Sequence, residues 1–162
     1  MPADAQHSIA GDVRGQFEHA WDMFAEAVRL FSAEQWRQDS GLVLAPARVA
    51  YHLLETAEYY LSDAPGAFRW GGRFGVDWES ADAGALPTQE DILAYLGEVR
   101  RACQDWLNRR AAHGMLDLDP VYGGEGMSRL DRSLYLLRHT HHHIGELCAQ
   151  LRRYDLPRPG WR

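Results

Sequence analysis

What most limits the fold of this chain is a helical period that runs straight through a cluster of histidines. Over residues 128–153 apolar side chains return at spacings of three and four. Leu130, Leu134, Leu137, Ile144, Leu147, Cys148 and Leu151 fall on one broad arc at about 100° per residue. Inside that helix lies Arg138-His139-Thr140-His141-His142-His143-Ile144-Gly145-Glu146, nine residues that hold four of the chain's eight histidines. The period continues on both sides, so the run is part of a folded helix and not a tag. Positions i and i+4 project from the same side of a helix, and only His139 and His143 have that spacing. His143 sits at one edge of the apolar arc and His139 about 40° further round, near Glu146 and Gln150. His141 falls within the arc, and His142 points away from it. The pair therefore faces a boundary between core and cleft, where half of a metal site belongs.

Three more periodic stretches accompany this one. Ile9, Val13, Phe17, Trp21, Phe24, Val28 and Phe31 predict a first helix with Ser8 as its cap. Ser32 to Gln35 reads as a capped short turn through Trp36. Pro46 suits the first position of a helix that runs to about Leu61. Thr88 and the acidic pair Glu90 and Asp91 open another helix, with Ile92, Leu96, Val99, Cys103, Trp106 and Leu107 on its buried face, ending near Ala112 before Gly114. Ser128 and Asp131 open the histidine helix in capping-box style. No strand alternation competes. The expected fold is all-α: a four-helix bundle with long crossover loops, one domain over 1–162. The connection over 62–87 is about 25 residues, well above ordinary loop length. It carries Phe68, Trp70, Phe74 and Trp78 among five glycines and two prolines.

Composition narrows the function. A net charge of −6 argues against general nucleic-acid binding. All 17 basic residues are arginine, so lysine-based Schiff-base chemistry is excluded. Cys103 and Cys148 show no paired spacing and read as reduced, the state of a cytoplasmic protein. No signal pattern and no membrane-length apolar run is present. The expectation is a cytoplasmic protein that engages neither membrane nor nucleic acid.

A bundle builds cofactor sites from side chains on facing helices. The second long helix offers His52 on the inward stripe Val49, His52, Thr56, Tyr59. His7, His19 and His113 have no comparable placement. His52, His139 and His143 thus form a three-imidazole set with open positions, the arrangement of a catalytic divalent metal; Zn, Ni, Fe and Cu all accept such ligands. A lone histidine on such a face is more often a hydrogen-bonded core residue, and the case here rests on three converging. The HExxH pattern and the Glu-x-x-His pairs of di-iron bundles are absent. A two-histidine, one-carboxylate iron site with Glu55, Glu58 or Glu146 is the remaining rival. Glu55 and Glu146 are preferred as partners that orient imidazole N–H groups. Tyr59 and Trp70 are the expected wall of a pocket for a small-molecule substrate, beneath the aromatic loop. Arg48, Arg69, Arg73 and Arg138 are further candidates for holding a substrate carboxylate.

The segment Arg138-His139-Thr140-His141-His142-His143-Ile144-Gly145-Glu146-Leu147 resembles the signature of the DinB/YfiT-like superfamily: a His-x-x-x-His pair followed closely by Gly and Gln or Glu. Tyr51-His52-Leu53-Leu54-Glu55 resembles its first metal-ligand region. Ile144-Gly145-Glu146 departs from the frequent Arg-Gly-Gln. The resemblance implies a four-helix bundle, a three-histidine Zn or Ni site with Fe as a third choice, and a homodimer. Relatives include thiol-dependent transferases and isomerases, so it also implies a low-molecular-weight thiol as cofactor. The functions expected are a thiol-dependent S-transferase or isomerase, or a hydrolase using metal-bound water. A non-catalytic metal or small-molecule binding module is the alternative.

Overall fold

The structure is a computed structural model that describes residues 8–39, 41, 43–111 and 114–161. His7, Ser40, Ala112 and His113 lie outside the described residues. Helix α1 spans Ile9–Leu30, the one-turn α2 Ala33–Trp36, α3 Pro46–Leu61, α4 Gln89–Ala111 and α5 Arg129–Arg153. The predicted start signals operate. Ser8 caps α1 by accepting the Gly11 N–H, and Pro46 is the first residue of α3. Reciprocal Ser–Gln, Thr–Asp and Ser–Asp boxes open α2, α4 and α5. No strand forms among the described residues; one isolated bridge joins Leu118 and Ser128.

The four long helices pack as a ring in which α1 touches α4 and α5, and α3 touches the same two. Their directions follow from side-chain partners. Arg14 near the start of α1 donates to Asn108 near the end of α4, so those two are antiparallel. The rings of Phe31 and Tyr154 meet edge-to-face just past the ends of α1 and α5, so these run together. Arg132, in the first turn of α5, reaches the carbonyls of Tyr60 and Ser62 at the end of α3, so α3 and α5 are antiparallel. It follows that α3 and α4 point the same way. The chain between them must climb back the full height of the bundle, which is why that connection is so long.

The core fills the space between the helices with Phe17, Trp21, Phe24, Tyr51, Leu53, Leu54, Ile92, Tyr95, Trp106 and Leu147, each at most 2% exposed. At about 1.5–3 kcal/mol per buried large side chain, this burial is the main force holding the helices together. Three arginines, Arg132, Arg48 and Arg110, are also buried. Arg132 is 1% exposed and fully engaged: Nε donates to Tyr60 O, Nη2 to Ser62 O, and Nη1 to both oxygens of Asp119 at 3.0 and 3.2 Å. The faces of Trp106 and Tyr122 sandwich its guanidinium. This knot ties the base of α3 to the start of α5 and to the loop before it.

Arg48 does the corresponding work for the ascending crossover. It pairs with Asp39 and donates to the carbonyls of Trp78 (2.7 Å), Glu79 (3.3 Å) and Ala81 (2.7 Å). Further down α3 the Glu55 carboxylate accepts the Gly71 N–H. Gly71 has φ 73°, and a Cβ there would lie 2.8 Å from Val76 O, so only glycine fits. At the top, Trp36 Nε1 donates to Pro87 O and Arg37 to Leu86 O. The crossover is thus fastened to α3 at several points along its climb.

Candidate metal centre

Helices α3 and α5 bring His52, His139 and His143 together. The ring centroids lie 5.3 Å apart for His52 and His139, 4.8 Å for His52 and His143, and 4.4 Å for His139 and His143. One nitrogen of each ring lies within 4.8 Å of those of the other two. The Nε2 atoms of His139 and His143 are 3.1 Å apart. Four-coordinate zinc at 2.0–2.1 Å from its ligands sets neighbouring nitrogens about 3.3 Å apart, so this pair has the required spacing.

The proton positions follow from the partners. His143 Nδ1 faces Glu146 Oε2 at 2.6 Å. The carboxylate accepts, so Nδ1 carries the proton and Nε2 presents a lone pair. His52 Nδ1 lies 3.5 Å from Thr56 Oγ1, which leaves its Nε2 for the centre. His139 Nδ1 is buried with no hydrogen-bond partner. If His139 Nε2 bears the proton, Nδ1 becomes a buried acceptor with no donor. If Nδ1 bears it, two lone pairs confront each other at 3.1 Å. A proton on Nε2 of His139 can bridge the pair, and a cation bound by both Nε2 lone pairs can take that proton's place. The facing Nε2 atoms, with His52 beside them, are the observation that the three residues suit a metal.

Charge points the same way. Burial, reinforced by the His143 charge and offset by Glu146, lowers the His52 pKa to about 4. Burial followed by the charges of His143, His52 and His142 lowers that of His139 to about 3. Both rings are therefore neutral near pH 7, the state in which imidazole binds a metal. His142, His143 and Glu146 form a second close group. The side chain of His142 is 65% exposed and stands 3.7 Å from Glu146, so that group lacks the burial that distinguishes the first.

Other expected site residues fall elsewhere. Glu55 orients no imidazole: it is 1% exposed and its carboxylate takes the Gly71 N–H, holding the crossover. Glu146 does meet an imidazole. Glu58 accepts from the Tyr95 hydroxyl. Tyr59 and Trp70 stack with Phe68 at centroid separations of 5.0–5.5 Å. Tyr59 is seven residues beyond His52, about 10 Å along α3, and does not wall the histidines. The indole that does is Trp78, 4.4 Å from the His52 ring. Its position in an aperiodic loop gave no signal beyond its aromaticity. Arg48 and Arg73 are engaged within the protein, with Asp39 and Glu98. His141 faces a different cleft of about 710 Å³, with Cys148, Leu156 and Trp161. Cys103 and Cys148 are free thiols.

A family model of the DinB superfamily matches residues 16–147. The chain belongs to that superfamily, and the all-α bundle agrees with it. No curated protein and no solved structure matches the chain. No described helix is long and apolar enough to cross a membrane.

Proposed function

We propose that this chain is a metal-dependent enzyme whose divalent ion, Zn or Ni, is held by His52, His139 and His143. The reaction is the transfer or isomerisation of a small electrophile with a low-molecular-weight thiol; hydrolysis at the same centre is the nearest variant. The supporting observation is the convergence of three imidazoles, two of them held neutral by burial, with the Nε2 atoms of His139 and His143 facing each other at 3.1 Å. When bound, such an ion supplies Lewis acidity that favours the anionic form of a thiol or water. The chain's own residues do the rest. Glu146 keeps the proton of His143 on Nδ1. Thr56 lies against Nδ1 of His52.

The test has two parts. Elemental analysis of the purified protein is expected to give close to one Zn or Ni per chain, lost in His143→Ala. A panel of thiols with electrophiles is expected to show turnover that His52→Ala abolishes. Absence of metal, or metal content unchanged in His143→Ala, defeats the proposal. A second reading, a non-catalytic binding module, has one observation in its favour. The clefts of about 710 and 580 Å³ beside Trp161 and Arg73 are lined by none of the three histidines. Stoichiometric metal with no turnover on any thiol or ester decides for that reading.

A further inference from the structure

The crossover's path is fixed most firmly where it passes His52. Arg48, His52 and Glu55 lie at i, i+4 and i+7 on α3, one above another on the same side. The first and third each bind crossover backbone. Arg48, 7% exposed, holds three carbonyls over 78–81, and Glu55 holds Gly71. Arg48 is itself fixed by Asp39, which also accepts the Ala45 N–H at 2.8 Å. Phe74 packs edge-to-face on Tyr51 between these ties. The one crossover side chain in ring contact with the histidines is Trp78, half-buried, its plane tilted 44° to His52. Its backbone carbonyl is held by Arg48, and its indole packs against the edge of the core.

Resting on the metal reading above, we infer that Trp78 is a positioning residue of the centre. It fixes the ring of His52, whose one polar approach from outside the triad is Thr56 at 3.5 Å, and forms the wall against which a substrate at the metal must lie. His143 is oriented by Glu146 and faces His139 directly. His52 has only the 3.5 Å approach of Thr56. A ring held so weakly by polar contacts depends on packing for its direction, and Trp78 supplies that packing. Its remaining open surface is flat, apolar and rich in π electrons, which suits an aromatic or conjugated group on the electrophile.

The experiment loads full-length protein with Co(II) or Ni(II) and follows three quantities: metal per chain, the ligand-field absorption of Co(II), and quenching of tryptophan emission by Ni(II). Wild type is expected to bind one ion and lose emission on binding. Trp78→Ala is expected to keep the stoichiometry, weaken Kd about tenfold, within the usual range for residues that support ligands, shift the Co(II) bands and lose most of the quench. Trp78→Phe is expected to restore the Kd and bands without restoring the quench. Asp39→Asn, which frees Arg48 without touching the centre, is expected to fall between wild type and Trp78→Ala. Unchanged Kd and bands in Trp78→Ala overturn the inference while leaving the metal reading intact. Failure of wild type to bind metal removes the reading on which it rests.

Discussion

Two polar clusters join α3 to α5, and they are built on opposite principles. At the base, Arg132 spends its donors on Tyr60, Ser62 and Asp119, and Asp119 receives the N–H groups of Val121 and Tyr122 besides. Higher up, His52, His139 and His143 present nitrogens to one another, and Nδ1 of His139 has no partner. A cluster that meets its own needs holds a fold together. One that does not is stable only because packing forces it, and it gains when a ligand arrives. The two differ in what completes them: the lower one is finished by the chain, the upper one, on the proposed reading, by an ion.

The largest expected effect lies in the lower cluster. Arg132→Ala leaves Asp119, whose side chain is fully buried, without its cation. Breaking one side of a buried pair costs roughly 3–5 kcal/mol, so urea denaturation should show a loss of that order, which added metal does not repair. A loss under about 1 kcal/mol would place this knot among ordinary surface pairs. The same carboxylate has a pH signature. Burial alone would raise its pKa, but the Val121 and Tyr122 N–H groups and Arg132 together hold it below the ordinary carboxylate value. A depressed folded-state pKa contributes stability above the unfolded value that is lost as pH falls through the folded one. The urea midpoint of wild type should therefore drop below about pH 4 more steeply than that of Asp119→Asn.

The upper cluster should behave inversely. His139→Ala removes a half-buried ring whose Nδ1 has no partner, so the metal-free protein should change stability by about 1 kcal/mol or less, the small end for point mutants. The metal should matter more than the residue. Wild type at a free Zn or Ni concentration of 100 Kd should gain about 2.7 kcal/mol, and His139→Ala should gain none. Calorimetric melting of both proteins with and without metal measures this. Equal shifts in the two would erase the distinction between the clusters.

Much of this was legible in the sequence, and the limits are physical. The helices and their caps carry a period and a start signal, so their bounds appear at once. The histidines could be sorted because i,i+4 geometry on a helix is fixed: His139 and His143 converge with His52, while His142 faces solvent. The crossover has no period, so the route that sets Trp78 beside His52 is invisible until α3 and α4 are seen to be parallel. Glu55 misled because spacing places a carboxylate near an imidazole but does not tell which neighbour its rotamer finds, and Gly71 was the better one. Arg132 carried an unread signal. It lies four residues before Leu136 and eight before Thr140, on the face that those residues bury, where a solvated charge does not belong.

The smallest effects test which residues belong to the upper cluster at all. Glu146 is half exposed, yet it faces the Nδ1 of a proposed ligand at 2.6 Å. Glu146→Gln can still accept a hydrogen bond but loses the charge that makes the ring a stronger donor of electrons to a metal. Supporting carboxylates of this kind change metal affinity by 10–100-fold, and exposure puts this one at the low end, about tenfold or 1.4 kcal/mol, with no change in metal-free melting. His142→Ala should do still less. Its ring is mostly in water and its approach to Glu146 is 3.7 Å, so metal affinity measured by competition with a chelator should stay within about twofold, the scale of an exposed pair. Should His142→Ala weaken binding as much as Glu146→Gln, the ion would sit on the outer group of His142, His143 and Glu146, and His52 would lose its role.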